Sequence, residues 1–316
     1  MVGRVTDGVT WPQIVRARAS MVFALCGVAM GTMAGVCRGQ DTPTEAVPAG
    51  TAAPEGPSTD RAASDAKAKL LADSEGLPAL QRVGGDKDAK IEKRGENYYA
   101  GACSITTPLP VGYPEPTPPG AIDLKVYPSV RRAEVSGTTM PDYGMYQGFF
   151  PLFNHIKKRE IAMTSPVEMD YRMLKADGTQ TREHERSGDA YKATERDAGE
   201  KDAAWTMSFL YRNQELGPTG ADGRVEVRDA EPLVVVSIGM KGSYMTARVK
   251  IGVAKLNAWL ESQDQWEAAG PVRALYYNGP DVARQDQWSE VQLPVKRKAR
   301  VDVASEAKDA SAATPK

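Results

Sequence analysis

Histidine and cysteine are scarce in this chain of 316 residues, which carries only His155, His184, Cys26, Cys37 and Cys103. Two histidines exclude a three-histidine zinc centre, and three scattered cysteines build neither a metal knuckle nor a disulfide framework. An excess of one charge is missing too. Forty basic and forty-one acidic residues leave a net charge of −1, so no whole-chain field draws in nucleic acid or anionic lipid. There is no G-x-S-x-G, no H-E-x-x-H, no phosphate-binding glycine loop and no assignable Ser/His/Asp set. No catalytic constellation can be assigned, and the chain is not expected to be an enzyme.

What is present begins with an export signature. Arg4, Arg16 and Arg18 precede an uncharged stretch from Ala19 to Val36, a basic region followed by an apolar one. Residues 1–39 are expected to be a signal peptide or an N-terminal anchor, placing the rest in a periplasmic or extracellular setting, with a membrane tether if the segment is retained. Removal of the segment would leave Cys103 as the sole thiol. Residues 40–121 are rich in Pro, Thr, Ala and Gly and read as a largely disordered linker, with Pro108, Pro110, Pro114, Pro116, Pro118 and Pro119 favouring extended chain.

From Ile122 one order of elements appears twice. Ile122–Tyr127 and Arg131–Thr138 read as strands, a helix follows around Phe149–Lys157, and strands at Ile161–Arg172 and Ala204–Arg212 complete ββαββ. The second copy has strands at Val225–Asp229 and Leu233–Met240, a helix from Met245 to Gln263, and strands at Val272–Tyr277 and Glu290–Val295. The charged interval Lys175–Asp202 is expected as an exposed loop, and 298–316 as a disordered tail. The fold class is α+β: a distorted antiparallel β-barrel from two pseudo-symmetric ββαββ halves, flanked by two helices, spanning 122–297.

Gly148–Tyr171, reading GFFPLFNHIKKREIAMTSPVEMDY, is the most informative stretch. Phe149, Leu152, Phe153 and Ile156 recur at i, i+3, i+4 and i+7, and the adjacent Phe149 and Phe150 point about 100° apart, so a second apolar face is available. In the strand, Ile161, Met163, Val167 and Met169 share one side and Glu168 the other. The helix and its I-A-M-T-x-P-V strand (Ile161, Ala162, Met163, Thr164, Pro166, Val167) resemble the SOUL haem-binding protein family. Glu231–Gly242 and Ala274–Val291 are similar to later parts of the same family, over roughly Ile122–Val295.

The resemblance implies the barrel and the reversible binding of haem or another tetrapyrrole against the first helix. Phe149, Leu152, Phe153 and Ile156 would then form an apolar wall with Met145 at its rim. Lys157, Lys158 and Arg284 would stand near the propionates, and His155 is the candidate iron ligand. The plain alternatives are core packing for the Phe/Leu stripe and a solvated turn for the lysines. A module for another apolar ligand, or an enzyme built on Glu168 or a tyrosine, are the competing readings of function.

Overall fold

The computed structural model describes residues 74–179 and 203–298, all within one compact unit, Ala63–Lys316. The export segment, most of the charged interval with His184, and the C-terminal tail lie outside the described residues. Among the described residues no helix is long and apolar enough to cross a membrane.

Both expected copies are present. The first comprises β5 (Ala121–Tyr127), β6 (Val130–Gly137), α1 (Pro141–Lys158), β7 (Val167–Tyr171) and β8 (Trp205–Leu210). The second comprises β10 (Val225–Ala230), β11 (Leu233–Lys241), α2 (Thr246–Glu261), β13 (Val272–Tyr276) and β14 (Trp288–Arg297). Further strands are β1 (Leu80–Gly85), β2 (Glu92–Arg94), β3 (Asn97–Ala100), β4 (Cys103–Ile105), β9 (Gly220–Asp222) and β12 (Trp266–Ala268).

One antiparallel sheet runs β1-β5-β11-β14-β13-β7-β8-β6-β10-β9, with β12 paired to β14. The stretch from β5 to β10 reads the same from either end once the halves are exchanged, which places a pseudo-twofold between β13 and β7. The paired path is open. Its two ends are nevertheless tied by covalent bends, since β5 passes into β6 through Pro128 and Ser129, and β10 into β11 through Glu231 and Pro232. Proline cannot donate to a ladder, so pairing breaks and the chain turns at both places.

Strict alternation divides the sheet's faces. Leu124, Val236, Leu293, Ala274 and Met169 point to one side, where α1 and α2 cover them. Asp123, Lys125, Ser237, Glu290, Gln292, Arg273 and Glu168 point to the other, also buried.

That polar face is covered by the stretch expected to be linker. Instead of a disordered tether, β1 pairs β5, β2-β3-β4 form a small sheet, and 104–120 runs along the polar side. Proline stops this segment from laddering but leaves its carbonyls free to accept. Arg212 Nη1 donates to the Leu109 carbonyl at 2.7 Å, Ser165 N to Pro108 at 2.9 Å, and the Trp288 indole to Thr117 at 2.8 Å. Tyr98, Ile105, Leu109, Tyr127, Tyr277 and Trp288 form a second apolar cluster beneath it.

Expectation and structure differ also at 161–166, which is not strand. Thr164 Oγ1 donates to Leu210 O, Ser165 Oγ donates to Thr107 O at 2.8 Å, and the Ser165–Pro166 peptide is cis. The side chains and amides there serve the end of β8 and the stretch at 107–108, and pairing starts only at Val167.

Candidate functional site

Helix α1 is seated by small residues. Its buried positions are Pro141, Gly144, Gly148, Leu152, His155 and Ile156, so the stripe on the sheet runs largely at i+4 intervals through two glycines. Trp205 fills the space both leave: a Cβ on Gly148 would meet its Cζ3 at 3.1 Å. The helix ends in a left-handed turn. Ile161 N donates to Ile156 O at 2.9 Å and Glu160 N to Lys157 O at 3.3 Å, with Glu160 at φ 56°.

The expected wall separates into two groups. Leu152 and Ile156 are wholly committed to the core. Met145, Phe149 and Phe153 are half-buried against it, with the rings of Phe149 and Phe153 stacked at 5.8 Å and Phe149 edge-on to Phe209 at 5.4 Å. Core packing therefore uses the stripe on which the wall was expected.

The second apolar face is the one open to solvent. Tyr143, Tyr146 and Phe150 are 50%, 67% and 63% exposed, at i, i+3 and i+7. Met140 and Met245 are exposed as well, and the N-termini of α1 and α2 meet where Asp142 Oδ1 accepts from Thr246 N and Oγ1, each at 2.7 Å. Lys157 follows Phe150 by seven residues on nearly the same side, about 10.5 Å along the axis. Lys157 and Lys158 are exposed, and Lys158 Nζ lies 3.9 Å from Asp222 Oδ1.

His155 does not offer a nitrogen to iron. It is buried, its Nδ1 is 2.8 Å from Asp222 Oδ2, and its Nε2 is 2.8 Å from the Tyr211 hydroxyl. With Asp222 ionised, Nδ1–H donates to the carboxylate and Nε2 accepts from the phenol. Burial pulls the imidazole below its ordinary value despite the bond to Asp222, with Arg159 and Lys158 adding to the lowering. The expectation of an axial histidine is corrected on this ground: both ring nitrogens are in use. Arg284 is exposed in a 3-10 turn, Arg284–Asp286, and no hydrogen bond or ion pair joins it to α1 among the described residues.

Glu168 lies on the polar face of the sheet. It is fully buried, pairs with Arg273, accepts from Arg132 Nη1 at 3.2 Å, and is capped by the Tyr113 hydroxyl at 3.2 Å. Beside it on the polar face, Glu290 accepts from Lys125 Nζ at 2.8 and 2.9 Å, from Tyr277 OH at 2.6 Å, from Gln292 Nε2 at 2.9 Å and from the Thr117 amide at 2.8 Å. Burial pushes the Glu290 carboxyl up, but Lys125 and these donors outweigh it and hold it below the usual carboxylate range. Among the described residues no three His, Cys, Asp or Glu side chains are grouped to hold a metal.

Compared with known families, residues 116–294 match the one described as SOUL heme-binding protein. The chain belongs to this family. The SOUL match begins at 116, so β1–β4 and most of the segment over the polar face precede it. No curated protein matches the chain. Among solved structures it is similar at 14% identity to EcmrR in an EcmrR–DNA complex, with 56% of this chain and 57% of that chain covered and a TM-score of 0.40. The C-terminal domain of EcmrR alone gives 14% identity, 56% and 98% coverage and a TM-score of 0.38. A hydrolase from Listeria innocua gives 14%, 58% and 94%, and 0.37. These likenesses are too distant to carry an argument about function.

Proposed function

We propose that this SOUL domain binds haem or a related tetrapyrrole on the solvent face of α1, as a carrier, buffer or sensor in an exported protein and not as an enzyme. The observation that carries this is the exposed stripe Tyr143, Tyr146 and Phe150, leading to Lys157 and Lys158. A macrocycle is a flat apolar disc with two carboxylates. The aromatic stripe would cover the disc, half-buried Phe149, Phe153 and Met145 would border it, and the lysines would reach the carboxylates. This arrangement suits face-on apolar binding without axial ligation by His155. When bound, haem would supply its own redox and ligand chemistry; the chain's part is to hold and orient it.

The opposite face supports the same choice. It is filled by 104–120 and by buried ion pairs such as Lys125–Glu290 and Arg273–Glu168, which leaves little room for a disc. The bends at Pro128 and Pro232 would curl the sheet into the family's distorted barrel, leaving helix exteriors as ligand surface.

Titration of the full chain with haemin tests the proposal. A saturable Soret shift at micromolar haemin is expected. Covering the exposed part of Phe150 is worth about 1–2 kcal/mol, so Phe150→Ser should weaken binding roughly 5- to 30-fold. A flat titration, or equal displacement by non-porphyrin apolar ligands with no iron-dependent spectrum, would overturn it in favour of a general apolar-ligand module.

A further inference from the structure

Away from α1, the C-terminal end of α2 and the edge strand β1 border a cavity of about 510 Å³, a volume that suits a small organic molecule. Leu77, Val83 and Trp259 supply apolar wall, and Gln81, Asp264 and Gln265 stand among the polar lining. Leu77, Gln81 and Val83 precede the part of the chain that matches the SOUL family, and the haem reading uses none of the cavity.

The apolar wall is held rigidly. The Trp259 indole donates to Val83 O at 3.2 Å, and the bare backbone of Gly84 lets the ring lie close, since a Cβ there would be 3.0 Å from Trp259 Cδ1. With its one polar atom engaged, what the indole presents to the cavity is carbon. Gln263 fastens the adjoining turn with four hydrogen bonds: Nε2 donates to Leu260 O at 3.1 Å and Trp266 O at 2.9 Å, while Oε1 accepts from Gln265 N at 2.7 Å and Trp266 N at 2.8 Å. The backbone that carries Asp264 and Gln265 is thereby fixed without help from their side chains.

Those side chains are spare. Among the described residues Gln81, Asp264 and Gln265 place no side-chain atom in a hydrogen bond or ion pair, whereas Arg297 is already engaged, its guanidinium 4.9 Å from the centre of the Trp266 ring. The chemistry left over is mixed. The Asp264 carboxylate only accepts, each glutamine amide both accepts and donates, and Arg297 adds a positive charge at the rim. A ligand made only of acceptors, such as a carboxylate, would meet Asp264, and one made only of donors, such as an ammonium, would meet Arg297. Hydroxyl groups do both, and an uncharged ligand is repelled by neither. An all-equatorial pyranose ring combines hydroxyls around its edge with flat C–H faces that pack on aromatic carbon.

We propose that this cavity is a binding site for a neutral pyranose sugar, with a C–H face against Trp259 and hydroxyls shared among Asp264, Gln81 and Gln265. The site is independent of the haem surface.

The full chain, labelled with 15N, should be titrated with cellobiose while indole N–H signals are followed, Trp259 being assigned through Trp259→Phe. The Trp259 signal should shift saturably at millimolar sugar, while Trp205 and Trp288, bonded to Thr139 and Thr117, stay in place. Asp264→Ala removes an exposed side chain and should weaken binding roughly tenfold, while Asp264→Asn, which keeps an acceptor, should weaken it less. 2-Naphthoate and benzyltrimethylammonium, each aromatic but bearing a single charge, should bind more weakly than cellobiose. An unmoved Trp259 signal, binding unaffected by Asp264→Ala, or tighter binding of either ion would overturn the proposal. Phe150→Ser should leave cellobiose binding unchanged, so failure here and failure of the haem reading are distinguishable.

Discussion

A Cβ placed on Gly144 would stand 2.3 Å from Cε2 of Trp205, so the indole occupies the room that a side chain on the helix would need. This relation sets the depth at which α1 rests on β8. Gly144→Ala should therefore force the helix outward or the indole aside, costing about 1–3 kcal/mol in urea unfolding. Asn154→Ala, at an exposed position of the same helix, should stay within about 0.5 kcal/mol. Equal stabilities would show that the packing is loose.

Glu160 holds a left-handed conformation at the end of α1, where glycine meets no steric penalty. Glu160→Gly should stabilise the protein by roughly 0.5–1 kcal/mol, even though the unfolded chain gains freedom. A thermal melt showing a lower midpoint would contradict this.

Lys125 and Glu290 are each wholly buried, and removing one leaves the other's charge without its principal partner. Lys125→Met is expected to cost about 3–5 kcal/mol. Lys125→Met with Glu290→Gln should recover a large part of that loss. A double-mutant cycle measures the coupling, and additive losses would contradict it.

The imidazole of His155 titrates below its ordinary value because it is buried. The neutral form is the folded one. Its contribution is full above the unfolded value, near 6.5, and is lost as pH falls through that value towards the folded one. Unfolding free energy should decline between pH 7 and pH 5, less steeply in His155→Gln. Asp222 is held low by its bonds from His155 and Arg159 and adds its own loss at more acid pH. A wild-type stability that rose on acidification would refute the assignment.

Period-2 alternation located β5, β6, β10, β11, β13 and β14 within a residue or two, because each has one face in the helix-side core. The same alternation put Glu168 opposite Met169, as the structure does. The face of α1 was harder to read. Hydropathy follows large apolar side chains, and the surface that meets the sheet is built partly from Gly144 and Gly148, which carry none. Trp205, far along the chain, supplies the missing volume. The short strands β1–β4 were hidden for another reason. Proline density argues against ladders but says nothing about packing, and the partners of this segment, such as Arg212 and Trp288, are remote in sequence. His155 could be found as a histidine on a helix, but its commitment to Asp222 and Tyr211 follows only from the tertiary fold.

The contacts that close the polar face join the first and last parts of the domain: Thr117 to Glu290 across 173 residues, Lys125 to Glu290 across 165. During synthesis the N-terminal partners emerge long before β14 exists to receive them. Lys125 and the amide of Thr117 must wait, hydrated, until the last strand arrives. Contacts so remote in sequence make slow closure the expectation, with completion of the domain set by its final strand and not by its helices.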